Sequence, residues 1–179
     1  MKSVELKGRK SNIIIGEKSP IVVNCNVGVN DIHKLSYEKD KIDMLFSRKE
    51  TSPDTMMDLS IYDKQGQLAQ YILQNYDVPL GVVPVYAIGH SQLNKSVLLE
   101  QIEKYAEMGI AFMTMHFTAD SDIFEIAIKE RKIPVTSRGG SITLKAAYEH
   151  NKKNLFRECL DEIILLAKKY NFVISLGTT

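Results

Sequence analysis

Apolar and polar positions follow two rhythms along this chain. Short, nearly continuous apolar runs rich in Val, Ile, Met and Phe predict β-strands over 21–27, 55–60, 80–86, 111–117, 133–137 and 172–176. Runs of this kind suit strands covered on both faces. Between them the spacing turns helical. Over 96–108, Leu98, Ile102, Tyr105 and Ala106 share one face, and Gly109 supplies a C-terminal stop. Over 154–170, Phe156, Cys159, Leu160, Ile163, Ile164 and Ala167 form the inner stripe, with Arg157, Glu158, Asp161, Lys168 and Lys169 outside. A weaker helix over 65–76 buries Leu68, Ile72 and Tyr76, and helices are also expected over 31–47 and 121–131, the latter with Ser121 as N-cap.

Six strands alternating with helices predict βα units and a parallel sheet. Periodicity alone fits an open doubly wound sheet and a (β/α) barrel equally well. Residues 1–20 are polar apart from Ile13-Ile14-Ile15 and read as a leading strand or an arm, with residues 21–179 as the α/β domain.

Composition narrows the function classes. A net charge of +1 over 179 residues, with no basic stripe interleaved with aromatics, argues against nucleic-acid binding. The N-terminus has no apolar signal core, and no apolar run approaches the roughly 18 residues of a membrane span. A cytoplasmic protein with no membrane partner is expected. The two cysteines, Cys25 and Cys159, lie far apart in apolar segments, so buried free thiols are expected rather than a disulfide or metal site.

Parallel α/β proteins carry their chemistry at the C-terminal ends of the strands. The clearest candidate there is Ser137-Arg138-Gly139-Gly140-Ser141. Paired glycines admit an anion close to the backbone, a following helix points its dipole at the same place, and Arg138 suits phosphate geometry. The competing reading is a Gly-Gly turn with a surface arginine. His116 is either a site donor or acid/base, or a satisfied strand histidine. Asp58 is either a ligand group or a partner for neighbouring backbone. Asn24 and Asn26 alternate on one strand and point the same way, and two buried amides there require a ligand or a network. Met57 and Tyr86 read as core residues on their own.

Taken in order, the strand ends read Asn24-Cys25-Asn26-Val27-Gly28, Met57-Asp58-Leu59-Ser60, Pro84-Val85-Tyr86, a strand containing His116, the Ser137–Ser141 loop, and Ser175-Leu176-Gly177. This series resembles the phosphomethylpyrimidine synthase (ThiC) family, as does Glu149-His150-Asn151-Lys152-Lys153-Asn154 after the loop. The resemblance runs from about residue 24 to residue 177. It implies a TIM-type (β/α) barrel, of which this chain would supply about six of eight βα units. It also implies a ligand, aminoimidazole ribonucleotide. Asn26, Met57, Tyr86 and His116 would contact it, and Ser137, Arg138 and Gly139 would hold its phosphate. Asn24, Asp58 and Gly140 are further candidates at the same strand ends. The related hydroxybenzimidazole synthases use the same substrate, and these motifs do not separate the two.

Family members are longer. They use a [4Fe–4S] cluster on a Cys-x-x-Cys-x-x-x-x-Cys motif, S-adenosylmethionine and a divalent metal. The cysteine motif is absent here, and Thr178 stands where the family has an aspartate that contributes to the substrate site. The chain alone is therefore expected to bind none of these cofactors and to depend on a further segment for radical chemistry. A non-catalytic ribonucleotide-phosphate-binding or regulatory subunit is the alternative. Six strands do not close an eight-stranded barrel. The expected outcomes are a homo-oligomer, pairing with a complementing C-terminal chain, or a rearranged open sheet.

Overall fold

The computed structural model describes residues 3–61, 63–149 and 153–177. Thr178, and residues 150–152 of the helix motif noted above, lie outside them. The first stretch forms an antiparallel hairpin, β1 (Ser3–Lys7) and β2 (Asn12–Gly16). Its turn is fastened by Asp77, whose carboxylate accepts from the amides of Lys10 at 2.7 Å and Ser11 at 3.3 Å.

The domain is an α/β fold built on five parallel strands in consecutive order, β3 (Asn24–Val27), β4 (Thr55–Asp58), β5 (Leu80–Val82), β6 (Phe112–Met115) and β7 (Val173–Leu176). Alternation divides the strands between two faces. Met56, Leu80, Val82, Met113 and Met115 are buried in the core. There they join residues of α1 (Leu35–Phe46), α2 (Gln67–Asn75), α4 (Lys95–Glu107) and α8 (Leu160–Tyr170). Ile42, Leu68, Ile72, Leu98, Ile102 and Ile163 are the helical contributions, each at most 1% exposed. The predicted stripe of α4 is buried, as are Leu68 and Ile72 of α2, whereas Tyr76 lies just past α2 and is only partly buried. The other face carries Asn24, Asn26, Thr55, Met57, Phe112, Thr114, Val173 and Ser175, in register across the sheet. The hairpin stands beside that face, and Leu6, Ile15, Phe112 and Val173 enclose a cavity of about 470 Å³ with it.

Several expectations are corrected. The sheet has five strands rather than six, because 133–137 joins no ladder, with a bend at 133–134, and β6 pairs directly with β7. Pro134 has no N–H to give a ladder, and β7 occupies the β6 edge. The strand over 80–86 ends at Val82. Pro84, whose fixed φ suits a first helical turn, opens α3 (Pro84–Ile88), which carries Tyr86. The second strand stops at Asp58 because its carboxylate takes the Ser60 amide at 2.8 Å and bends the chain. The helix at 154–170 is two, α7 (Leu155–Glu158) and α8, broken at Cys159, and Leu160 is 40% exposed rather than core. The N-cap of α5 (Ser121–Glu130) is Asp120, whose side chain accepts from the Ser121 amide. Asn24 and Asn26 are exposed rather than buried, and they pair with each other at 2.8 Å. Both cysteines are free thiols, with Cys159 buried and Cys25 partly so. Among the described residues no helix is long and apolar enough to cross a membrane.

Asn154 joins the α7 end of the fold to β6. It is fully buried, donates to the carbonyls of His116 at 2.8 Å and Ala119 at 3.0 Å, and caps α7 by accepting from the Phe156 amide at 2.9 Å. Asn154→Ala leaves buried carbonyls and amides unpartnered and should lower unfolding free energy by about 2–3 kcal/mol, readable in urea denaturation at constant m-value.

Candidate functional site

The polar strand ends converge where α6 (Arg138–Glu149) begins. The helix starts at Arg138, so the paired glycines form its first turn instead of a loop before it. Ser137 caps that turn. Its Oγ accepts from the Gly140 amide at 3.1 Å, and its carbonyl accepts from the Ser141 amide and hydroxyl, each at 2.9 Å. This leaves the Arg138 amide at the open N-terminal end, where the helix dipole favours an anion, while the Gly139 amide faces the Tyr86 hydroxyl.

Gly139 is a glycine for a reason of contact. A Cβ there would stand 2.1 Å from Cε1 of His116, and one at Gly177 would stand 2.8 Å from His116 Cδ2. The His116 ring lies between these two backbones and is 4% exposed. Burial pulls its pKa down, favouring the neutral imidazole. Its Nδ1 has no hydrogen-bond partner among the described residues. A buried ring nitrogen without a partner is costly.

Tyr86 closes the other side. It is buried, and the Arg138 guanidinium lies 5.4 Å from its ring centroid, within cation–π range. Burial pushes its hydroxyl pKa up, against the opposing pull of Arg138 and of the Gly139 amide that faces it. Arg138 itself is exposed and borders a polar cavity of about 390 Å³ together with Asn26, Gly28, Asn30 and Glu38.

The structure thus brings together Tyr86, His116, Ser137, Arg138 and Gly139, with Asn26 across the adjoining cavity. Met57 is half-buried and pairs in register with Asn26 on the same face. Asn24 lies farther from this end, bonded to Asn26 and accepting from Thr55 Oγ1 at 3.0 Å. Gly140 is buried inside the first helical turn with its amide committed to Ser137. Asp58 faces the helical layer rather than the cleft. Its carboxylate accepts from the amide and the hydroxyl of Ser60, and burial pushes its pKa up to about 6 against those bonds, with Asp63 adding to the rise.

Three contributors were not singled out by sequence reasoning: Asn154, Gly177 as a wall of His116, and Glu38. Glu38 left a signal, since it sits four residues before Ile42 on the inward side of α1, where a carboxylate needs a partner.

The profile of the Radical SAM ThiC family matches residues 2–179. The chain belongs to that family. It is 31% identical to a phosphomethylpyrimidine synthase of Sulfurisphaera tokodaii, over 94% of this chain and 41% of that protein. It is 34% identical to one of Desulfotalea psychrophila, over 92% of this chain and 40% of the relative, and 31% identical to one of Thermotoga petrophila, over 92% and 41%. The chain spans about 40% of the length of these ThiC relatives.

Radical SAM proteins use an iron–sulfur cluster, and the residues of this ThiC chain do not fit one. It has two cysteines, one on β3 and one fully buried at the α7–α8 break. No group of three or more His, Cys, Asp or Glu that could hold a metal occurs among the described residues. Three thiolates are the minimum the family motif supplies, and these residues offer two separated thiols.

Asp58 gives this fold a pH dependence of known sign. A buried acid whose pKa rises from 3.8 to about 6 takes up its proton more readily folded than unfolded. Its contribution therefore stabilises as pH falls through about 6 and levels off below about 4, by up to about 3 kcal/mol. Asp58→Asn should remove that component, so the variant should lose about 2 kcal/mol relative to wild type on going from pH 7.5 to pH 4.5 in paired chemical denaturations.

Proposed function

We propose that this chain is a thiamine-biosynthesis protein of the phosphomethylpyrimidine synthase type that binds aminoimidazole ribonucleotide. The observation that carries the reading is the joining of an open helix N-terminus, capped by Ser137 and carrying Arg138, to a buried imidazole with an unpartnered Nδ1. The phosphate sits at Ser137, Arg138 and Gly139, where amides, dipole and guanidinium add up. The imidazole base lies against His116 and Tyr86, with Asn26 and Met57 flanking the ribose. The five-stranded sheet is, in this reading, part of a (β/α) barrel, and the free edges of β3 and β7 are where a second copy or a complementing chain pairs.

The radical S-adenosylmethionine reaction of the family is not assigned to these residues alone, since their cysteines do not fit a cluster. An alternative reading is a ribonucleotide-phosphate-binding or regulatory subunit. Both readings share the binding site and differ in whether activity appears when a cluster-bearing segment is supplied.

Isothermal titration with aminoimidazole ribonucleotide should give a micromolar Kd. Arg138→Ala should weaken it by about 10–100-fold through loss of a charge-assisted bond, with little change in melting temperature because Arg138 is exposed. A folded wild-type chain that does not bind would refute the proposal.

A further inference from the structure

Behind the cavity that Arg138 and Asn26 share, two buried carboxylates anchor two successive backbone amides. Glu38 Oε1 accepts from the Gly28 amide at 3.0 Å, while its other oxygen pairs with Lys41. Asp58 Oδ1 accepts from Ser60 Oγ at 2.6 Å, and that same Oγ accepts from the Val29 amide at 3.1 Å. Glu38, Asp58 and Ser60 are each between 6% and 8% exposed.

The turn held this way has little freedom. Gly28 has φ +153°, and a Cβ there would stand 2.8 Å from the Leu59 carbonyl carbon and 2.8 Å from the Ser60 nitrogen. The parallel ladder runs on past it, with the Leu59 amide donating to Val27 and the Ile61 amide to Val29. Residues 28–30 then form the cavity wall. A buried carboxylate on α1 and another at the end of β4 are costly to desolvate, and Glu38 bonds this two-residue stretch directly while Asp58 reaches it through Ser60.

We propose that Glu38 and Ser60 are positioning residues for the ribonucleotide: by fixing the Gly28 and Val29 amides they set the distance between Asn26 and Arg138 across the cavity. The inference rests on the ribonucleotide reading above. Glu38 touches no ligand in this scheme; it acts through the turn.

The test compares Glu38→Ala, which removes the acceptor, with Glu38→Gln, which keeps an oxygen for the Gly28 amide, and adds Ser60→Ala for the second anchor. Each folded variant is titrated with aminoimidazole ribonucleotide, and amide hydrogen exchange is followed at Gly28 and Val29. Glu38→Ala and Ser60→Ala should each weaken binding about tenfold and speed exchange at Gly28 and Val29 respectively. Glu38→Gln should return both readouts close to wild type. Faster exchange with unchanged affinity would overturn the proposal, because the turn would then be loosened without consequence for the ligand. A Gln variant as weak as the Ala variant would also overturn it, by assigning the effect to charge. A wild-type chain that binds no ribonucleotide overturns the function and this inference together, whereas wild-type binding with unaffected variants overturns the inference alone.

Discussion

The described structure hangs on how the end of β6 is held. The main chain at His116 and Ala119 would leave two carbonyls in the interior, and the side-chain amide of Asn154 takes both. The same residue starts α7, so the position of the His116 ring and the start of the closing helices are one constraint. Everything around the ring follows from that anchorage. Gly139 and Gly177 can approach only because they lack a Cβ, and their approach brings the α6 N-terminus and the end of β7 to one point. Rigid placement of a few polar groups by packed backbone is what makes a binding site selective.

Much of this was legible beforehand, for identifiable reasons. The runs at 55–60, 80–86, 111–117 and 172–176 carry strands because their apolar residues are needed on the helical face. The stripe of α4 buries as its spacing requires, and so do Leu68 and Ile72 of α2. The run at 133–137 misled because its apolar composition fixed neither burial nor pairing, and Ile133 is 66% exposed. Whether it joins a sheet depended on Pro134 and on β7 competing for the same edge, and the second of these is a tertiary event. Tyr86 was placed on a strand end, but Pro84 had already redirected the backbone into a helix. Both errors leave the residues near the predicted end of the sheet, since a strand and a short helix there start from the same strand terminus.

The site shows the same division. Arg138 and Ser137 could be read from the chemistry of their side chains. Gly139 was read as a cradle for an anion, and its tightest constraint proves to be an imidazole 23 positions earlier in the sequence, that of His116. No local pattern announces which ring a glycine will meet. Asp58 was open between ligand and scaffold, and its bonds to Ser60 put its carboxylate in the helical layer. Long-range hydrogen-bonding hubs such as Asn154 were invisible for the same reason. A buried asparagine looks like any other N-cap until its distant carbonyls are known.

The pairing of β6 with β7 also bears on the order in which the molecule assembles. Each of the other parallel pairs joins strands separated by one connecting segment, so they can zip together as the chain emerges from the ribosome. The last pair must wait for α5, α6, α7 and α8 to be made, and long-range closure of this kind is slow. Until then the outer edge of β6 is open, and the apolar stretch at 133–137 is the first segment long enough to occupy it. Pro134 spoils that alternative by withholding a donor, so a single imino acid in an unremarkable loop keeps the edge vacant for its proper occupant.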